Sequence, residues 1–292
     1  QKYDFSKSNE AIYIYKDKII KFFTDQKIVK QKLLKIKNKN NLFPKIINKK
    51  SQFYAYKFFE GKTLYQKNNK RIFEDFLNLM HNKLWRNDRI LTPKLFKINC
   101  KKFYFEKTQN RYKKFRVKYN NYNELKKVND KNYQSIKNIL KEINWEYIND
   151  GKQSYIHGDL QFDNILYNET KKKFLLIDWR QTFGDSIYSG DLYYDLAKIY
   201  GGILIDYSQI KKNKFSFKED SKSINFTIPK IKHDNEYKKI IKNYIDKKKL
   251  DMKKVKILSG IILLNMAPLH AYPFDKILFN YSRKILHEEI RN

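Results

Sequence analysis

Asp159 stands in the run "HGDLQFDNIL", and Asn164 follows it five positions on. Asp178 comes fourteen residues further, in the run "FLLIDWR". Two carboxylates and an amide are all hard oxygen donors, and here they sit among apolar residues of a basic chain. Asp178 closes the apolar run Leu175-Leu176-Ile177, so it is expected at the end of a buried strand. A carboxylate there is expensive to desolvate unless a cation meets it. Mg²⁺ takes oxygen ligands of this kind together with phosphate oxygens. A loop through residues 160–162 would let Asp159 and Asn164 face one pocket. The plainer alternative is that the two aspartates cap turns and the asparagine satisfies backbone groups, as short polar side chains often do.

The elements that must position these residues are legible in outline. "AIYIY" (11–15), "KDK" and "IIKFF" (19–23) read as a hairpin of strand-forming residues. "TDQKIVKQKLLKI" then shifts to helical spacing, with Thr24 or Asp25 as a cap. "SQFYAYKFFEG" returns to strand and closes at Gly61. Ile72, Phe73, Phe76, Leu77, Met80 and Leu84 mark a helix from Arg71 onward. "KKFYFEKTQNRYKKF" shows no clear period, whereas 131–148 reads as one helix stopped by Gly151. "KKFLLID" reads as a short buried strand. Beyond Leu192 the chain is expected to be mainly helical, apart from a hairpin in "KFSFKEDSKSINFTI". These elements predict an α+β, two-lobed architecture. A small antiparallel-sheet lobe (1–60) joins a larger helical lobe (61–292) near residues 60–64, and the cleft between them is the natural ligand site.

Composition narrows the class. The 292 residues carry 63 Lys and Arg against 31 Asp and Glu, a formal net charge of +32. Only eight of the cations are Arg. Nucleic-acid grips favour Arg in fixed geometry, so the charge is read as a compositional bias, and a basic nucleic-acid-binding protein remains a distant alternative. Cys100 is the only cysteine, which excludes an internal disulfide and a Cys-rich zinc site. The opening "QKYDFSKSNE" lacks the apolar run of a signal peptide. The most apolar stretch, residues 257–269, is too short to span a bilayer. A cytoplasmic protein without a membrane span is expected.

"HGDLQFDN" followed by "IDW" resembles the H-G-D-x-x-x-x-N plus I-D pattern of the aminoglycoside phosphotransferase and choline kinase-like superfamily, small-molecule relatives of the protein kinases. The resemblance extends over most of the chain through the strand-then-helix layout. It implies ATP- and Mg²⁺-dependent phosphoryl transfer to a hydroxyl of a small molecule such as a sugar, an amino alcohol like choline, or an aminoglycoside. Asp159 would be the catalytic base, with His157 and Gly158 shaping its loop. Asn164 and Asp178 would hold Mg²⁺. Lys21, in the middle of "IIKFF", would reach the nucleotide phosphates. Residues 58–60, Phe58, Phe59 and Glu60, would form the adenine-binding hinge. Trp179, Arg180, Gln181, Asp185 and Tyr188 would line the acceptor pocket. "GDLYYDLAK" resembles the family's helix start, where Asp195 would bind backbone of the catalytic loop. The stretch from Ile177 to Lys198 is also similar to phosphotransferase domains encoded with bacterial surface-polysaccharide enzymes.

Two departures stand against this pattern. The helix after Lys21 should carry a glutamate for that lysine, yet from Thr24 to Lys37 the only acid is Asp25, and Gln31 stands where an acid is wanted. No glycine-rich phosphate loop is visible, which leaves Ser6 and Ser8 as phosphate contacts. Both departures keep open a kinase-fold protein that binds a nucleotide or a partner without turnover.

Overall fold

The strand-rich start of the sequence forms an antiparallel sheet. The computed structural model describes residues 9–37, 39, 42–86, 91–120 and 122–291. Strands β1 (Glu10–Tyr15) and β2 (Lys18–Phe23) pair as the expected hairpin, with Ile12 opposite Lys21. Helix α1 (Gln26–Ile36) follows at once, and Asp25 caps it by accepting from the Lys27 amide at 2.8 Å. Strands β3 (Ile46–Lys49) and β4 (Phe53–Lys57) complete the sheet in the order β1-β2-β4-β3. The sequence did not announce β3, because "IINK" is half polar and lies at the sheet edge with three of its four residues exposed.

The chain then leaves this sheet through β5 (Lys62–Thr63) and enters a helical region. Helix α2 (Lys70–Leu79) runs into a π-helical turn, Met80–Leu84. Helix α3 (Pro93–Lys101), a π-helical turn at Lys102–Glu106 and α4 (Lys107–Lys118) form one continuous helical rod. After β6 (Lys127–Val128), the single helix expected over 131–148 is instead two short ones, α5 (Ile136–Glu142) and α6 (Trp145–Asn149). Ser135 and Asn144 divide the segment, since each turns its side chain onto a backbone amide three residues ahead.

Strand β7 (Gln153–Ser154) leads into the motif, and β8 (Ile165–Asn168) and β9 (Lys173–Leu176) form a tight hairpin beside β5. Strand β10 (Gly190–Asp191) returns to pair with β7 and starts α7 (Leu192–Leu204). A short helix α8 (Tyr207–Ile210) precedes the expected hairpin, β11 (Ser216–Glu219) and β12 (Ser223–Thr227), which joins β6. Helices α9 (Asp234–Lys247), α10 (Met252–Met266) and α11 (Phe274–Arg291) finish the fold. The apolar run 257–269 becomes α10, closed by a 3₁₀ turn containing Pro268. Nearly every residue of α10 is buried, because α4, α7 and α11 all pack on it. No helix among the described residues is long and apolar enough to cross a membrane.

Candidate active site

The β8–β9 hairpin explains the fourteen-residue spacing. Ile165 pairs with Leu176, and the next rung is a bond from the Ile177 amide to the Asn164 carbonyl at 2.9 Å. Asn164 and Asp178 therefore flank the open end of one hairpin. Asp178 has a φ of 57°, a left-handed conformation that aspartate tolerates better than most residues, and its side chain leaves the strand direction there. Asn164 Nδ2 donates to the Asp159 carbonyl at 2.8 Å, which ties the motif loop to the hairpin. With its amide nitrogen engaged, the amide oxygen of Asn164 is the end left for a cation.

His157 is fully buried and works inside the loop. Its Nε2 lies 2.9 Å from the Ile177 carbonyl, and its Nδ1 accepts from the Asp159 amide at 3.2 Å. The ring stacks on Phe43 at 5.9 Å. Burial, only partly offset by the Asp159 charge, lowers its pKa to about 3, so the ring is neutral. His157 positions Asp159; its contacts give it no route to a reacting atom. Gly158 has a φ of 82°, and a Cβ there would lie 2.8 Å from Arg180 Cβ, so both conformation and space demand glycine. Arg180 fills that space. Its Nε donates to the Gly158 carbonyl at 3.1 Å and its amide to the His157 carbonyl at 3.0 Å. Asp195, at the start of α7, accepts from the His157 and Gly158 amides, each at 2.8 Å, and from the Trp85 indole at 3.0 Å. It is a buried brace for the loop, as the family resemblance implies.

Asp159 ion-pairs with Lys198 of α7 at 2.8 Å. Burial would raise its pKa, but the charges of Lys198 and Arg180 overcome this and hold it well below the usual carboxylate range. Asp159 is thus an anion at any working pH. From the sheet, Lys21 is buried on β2 and ion-pairs with Asp178. Asp25 is spent on the α1 cap and stays exposed, so it does not replace the missing glutamate. Helix α1 instead sends two buried lysines toward the site. Lys32 donates to the Trp179 carbonyl, and the Trp179 indole returns a bond to the Lys32 carbonyl at 3.0 Å. Lys35 donates to the Arg180 carbonyl at 2.8 Å.

Lys21, Asp159, Asn164 and Asp178 are therefore joined by short contacts around one loop. The remaining expected residues divide. Trp179 is fully buried against Phe43 and Tyr54, so it belongs to the core and does not face an acceptor, a correction to the sequence reading. The chain turns at Asp178, and the indole that follows is carried inward. Asp185 is largely exposed and pairs with Lys102 at 2.7 Å. Tyr188 is also exposed, and Gln181 is half-buried. At the hinge, Phe58 is exposed, Phe59 packs over Gly61, and the Glu60 carbonyl accepts from Asn168. Ser6 and Ser8 lie outside the described residues. Two surface cavities, of about 870 Å³ beside α1 and about 410 Å³ beside α6, are lined by none of the motif residues.

Comparison with known proteins bears on the fold. No protein-family model matches the chain, and no curated protein matches it. Solved structures do match, over nearly its whole length. Choline kinase from Cryptosporidium parvum Iowa II has a TM-score of 0.55 at 14% identity, covering 99% of this chain and 89% of that one. The chain has the fold of these small-molecule kinases. ADP-bound aminoglycoside phosphotransferase APH(2'')-Ib gives a TM-score of 0.53 at 13% identity, covering 99% and 93%. A choline/ethanolamine kinase family protein from Mesorhizobium loti gives 0.55 at 10%, covering 98% and 90%.

The residues also fit a metal. Among the described residues no three His, Cys, Asp or Glu side chains converge as a self-contained metal site. Mg²⁺ in a phosphate complex needs only one or two protein oxygens, and Asn164 with Asp178 offers them.

Proposed function

We propose that the chain transfers the γ-phosphoryl group of ATP to a hydroxyl of a small molecule. One observation carries this reading: Asp159, ion-paired with Lys198, lies on the same loop as Asn164, beside Asp178, with Lys21 already against Asp178. Asp159 orients the acceptor hydroxyl and takes its proton as the bond to phosphorus forms. Lys21 neutralises nucleotide phosphate charge, as a strand lysine does in kinases. Asn164 and Asp178 would hold Mg²⁺, which supplies charge neutralisation at the phosphate oxygens when bound. Residues 1–60 would form the nucleotide lobe and 61–292 the lobe carrying the catalytic loop and acceptor site, with adenine at Phe58–Glu60. ATP as donor fits the cytoplasmic setting expected from the sequence. The fold of the neighbouring structures and the bound ADP of one of them support the reading.

Phosphoryl transfer is tested by ADP release over a panel of sugars, amino alcohols and aminoglycosides. Asp159→Ala is expected to lower the rate about 10³-fold, the range of a lost general base, while the affinity for AMP-PNP with Mg²⁺ stays within about twofold. Wild-type turnover in Asp159→Ala would falsify the assigned role.

A further inference from the structure

Cations gather beside Asp159. Two helices supply them. On the rod formed by α3, the π-helical turn and α4, Phe103, Lys107 and Arg111 succeed one another at four-residue intervals, one face of a helix. On α7, Tyr194 and Lys198 are likewise four apart. Phe103 lies where the two faces meet. Its ring packs on Phe183 at 4.2 Å and on Tyr194 at 4.9 Å. Over that ring sit both Lys107 Nζ, at 4.0 Å, and the Arg180 guanidinium, at 5.4 Å. Lys198 reaches past them to Asp159.

The balance of charge is uneven: against burial, Tyr194 and Asp159 raise the pKa of Arg180, and Asp159 and Tyr194 raise that of Lys198, whereas Lys107 and Arg111 have no acid of their own among the described residues. Burial and then the charges of Arg180, Lys198 and Arg111 push the Lys107 pKa well below its ordinary value, with Asp159 opposing them. Burial and then Arg180 lower Arg111 as well. The other acids of this region are already paired: Asp163 with Lys211 at 2.7 Å, Asp185 with Lys102 at 2.7 Å and Asp178 with Lys21. Glu106, next to Lys107 in sequence, is exposed. Asp195 is spent on loop amides. Lys107 and Arg111, half-buried near Arg180 and without an acid partner among the described residues, are repelled by it, and a bound anion relieves that repulsion. A choline or aminoglycoside cation would meet mainly like charge here, because Asp159 is already paired with Lys198.

We infer that the acceptor is an anion, a hydroxyl compound bearing a phosphate or carboxylate group that Lys107, Arg111 and Arg180 receive beside Asp159. This rests on the kinase reading above and sharpens it, because it separates the acceptor chemistry of this chain from the choline and aminoglycoside names of its structural neighbours. Lys107 and Arg111 become specificity-determining residues for that acceptor.

The test is direct binding with the nucleotide site saturated by AMP-PNP and Mg²⁺, read by calorimetry. The probes are glucose 6-phosphate, glucuronate, glucose and kanamycin. Glucose 6-phosphate or glucuronate is expected to bind at least tenfold tighter than glucose, and kanamycin not to bind. Which anion wins tells phosphate from carboxylate. The double variant Lys107→Ala/Arg111→Ala should lose that preference about tenfold or more while its AMP-PNP affinity is unchanged. Equal affinity for glucose and both anions, tighter binding of kanamycin, or an unaltered preference in the double variant overturns the inference. So does a loss of AMP-PNP affinity in the double variant, which would assign the cations to the nucleotide. If AMP-PNP fails to bind the wild type, the kinase reading falls, whereas the anion preference is still measured without it.

Discussion

Helices α1 and α7 both bring buried lysines to the motif loop and the residues just after Asp178, under different terms. Lys198 of α7 meets a carboxylate, Asp159. Burial works against its charge, yet Asp159 more than restores it, so its pKa is raised. Lys32 and Lys35 of α1 meet backbone carbonyls. Burial dominates there: at Lys32, Lys21 adds repulsion that Glu10 and Asp159 offset only in part, and at Lys35 the Asp195 charge falls short of burial and Arg180 adds repulsion, so both pKa values fall to about 7. A carbonyl dipole holds an ammonium in place but does not balance its charge. The acid-paired side of the site therefore has fixed charges suited to chemistry. The carbonyl-capped side has lysines whose charge is set by pH and which strap α1 to the residues just after Asp178.

The sharpest way to break this division is Asp178→Asn, on the acid-paired side. The change removes the carboxylate facing Lys21 and one proposed metal oxygen but leaves the α1 straps on Trp179 and Arg180 in place. Phosphoryl transfer is expected to fall by about 10²–10³-fold, the scale of a lost electrostatic contact to the reacting group. The fold should persist, as judged by circular dichroism and urea unfolding. An unfolded Asp178→Asn protein would mean that the acid-paired side carries structure as well, and the contrast with α1 would collapse.

How far the sequence discloses each side follows from what kind of residue does the work. Strand β9 and the acid at its end, Asp178, were legible together with Asn164, because an apolar run ending in an acid is a rare and costly arrangement; β8, half-exposed and pairing with β9, was not. The brace at Asp195 was legible through its position in "GDLYYDLAK". Lys32 and Lys35 were not, since lysines are spread through α1 and one that turns inward has the same letter as its solvated neighbours. Lys198 did leave a signal that went unused: it is the only basic residue of α7, a helix otherwise buried almost throughout. The face carrying Phe103, Lys107 and Arg111 was hidden for another reason. The π-helical turn at Lys102–Glu106 shifts the helical phase, so "KKFYFEKTQNRYKKF" shows no steady 3.6-residue period. Trp179 was misplaced because an aromatic next to a metal-site acid suggests a pocket wall, whereas the left-handed turn at Asp178 sends it into the core.

Lys32→Met tests the carbonyl-capped side. The folded pKa of Lys32 is about 7 against an unfolded value of 10.5. Between those values the unfolded chain binds more protons than the folded one, so stability rises with pH. The charging penalty is fully present below pH 7 and is relieved as pH climbs. From pH 7 to 9 one such lysine contributes a rise of about 2 kcal/mol. Urea unfolding at the two pH values should show Lys32→Met lacking that share of the rise. Equal slopes for variant and wild type would place Lys32 with the fully charged lysines and erase the distinction between the helices.

The smallest effect is expected from Lys198→Met, and it bears on the other helix. In its proposed role Asp159 acts as base only when ionised, and Lys198 is the strongest charge holding its pKa down. Without Lys198, burial acts with less opposition and the carboxyl titrates at higher pH, although Arg180 still restrains it. The acid limb of kcat/KM should therefore move upward in pH, with a loss of roughly tenfold or less at pH 5 and a smaller one at pH 8. Pure packing loss would lower the whole profile evenly, because it changes no proton affinity. Superimposable acid limbs would thus reduce Lys198 to a packing residue, and the charge balance of the loop would have to come from Arg180 alone.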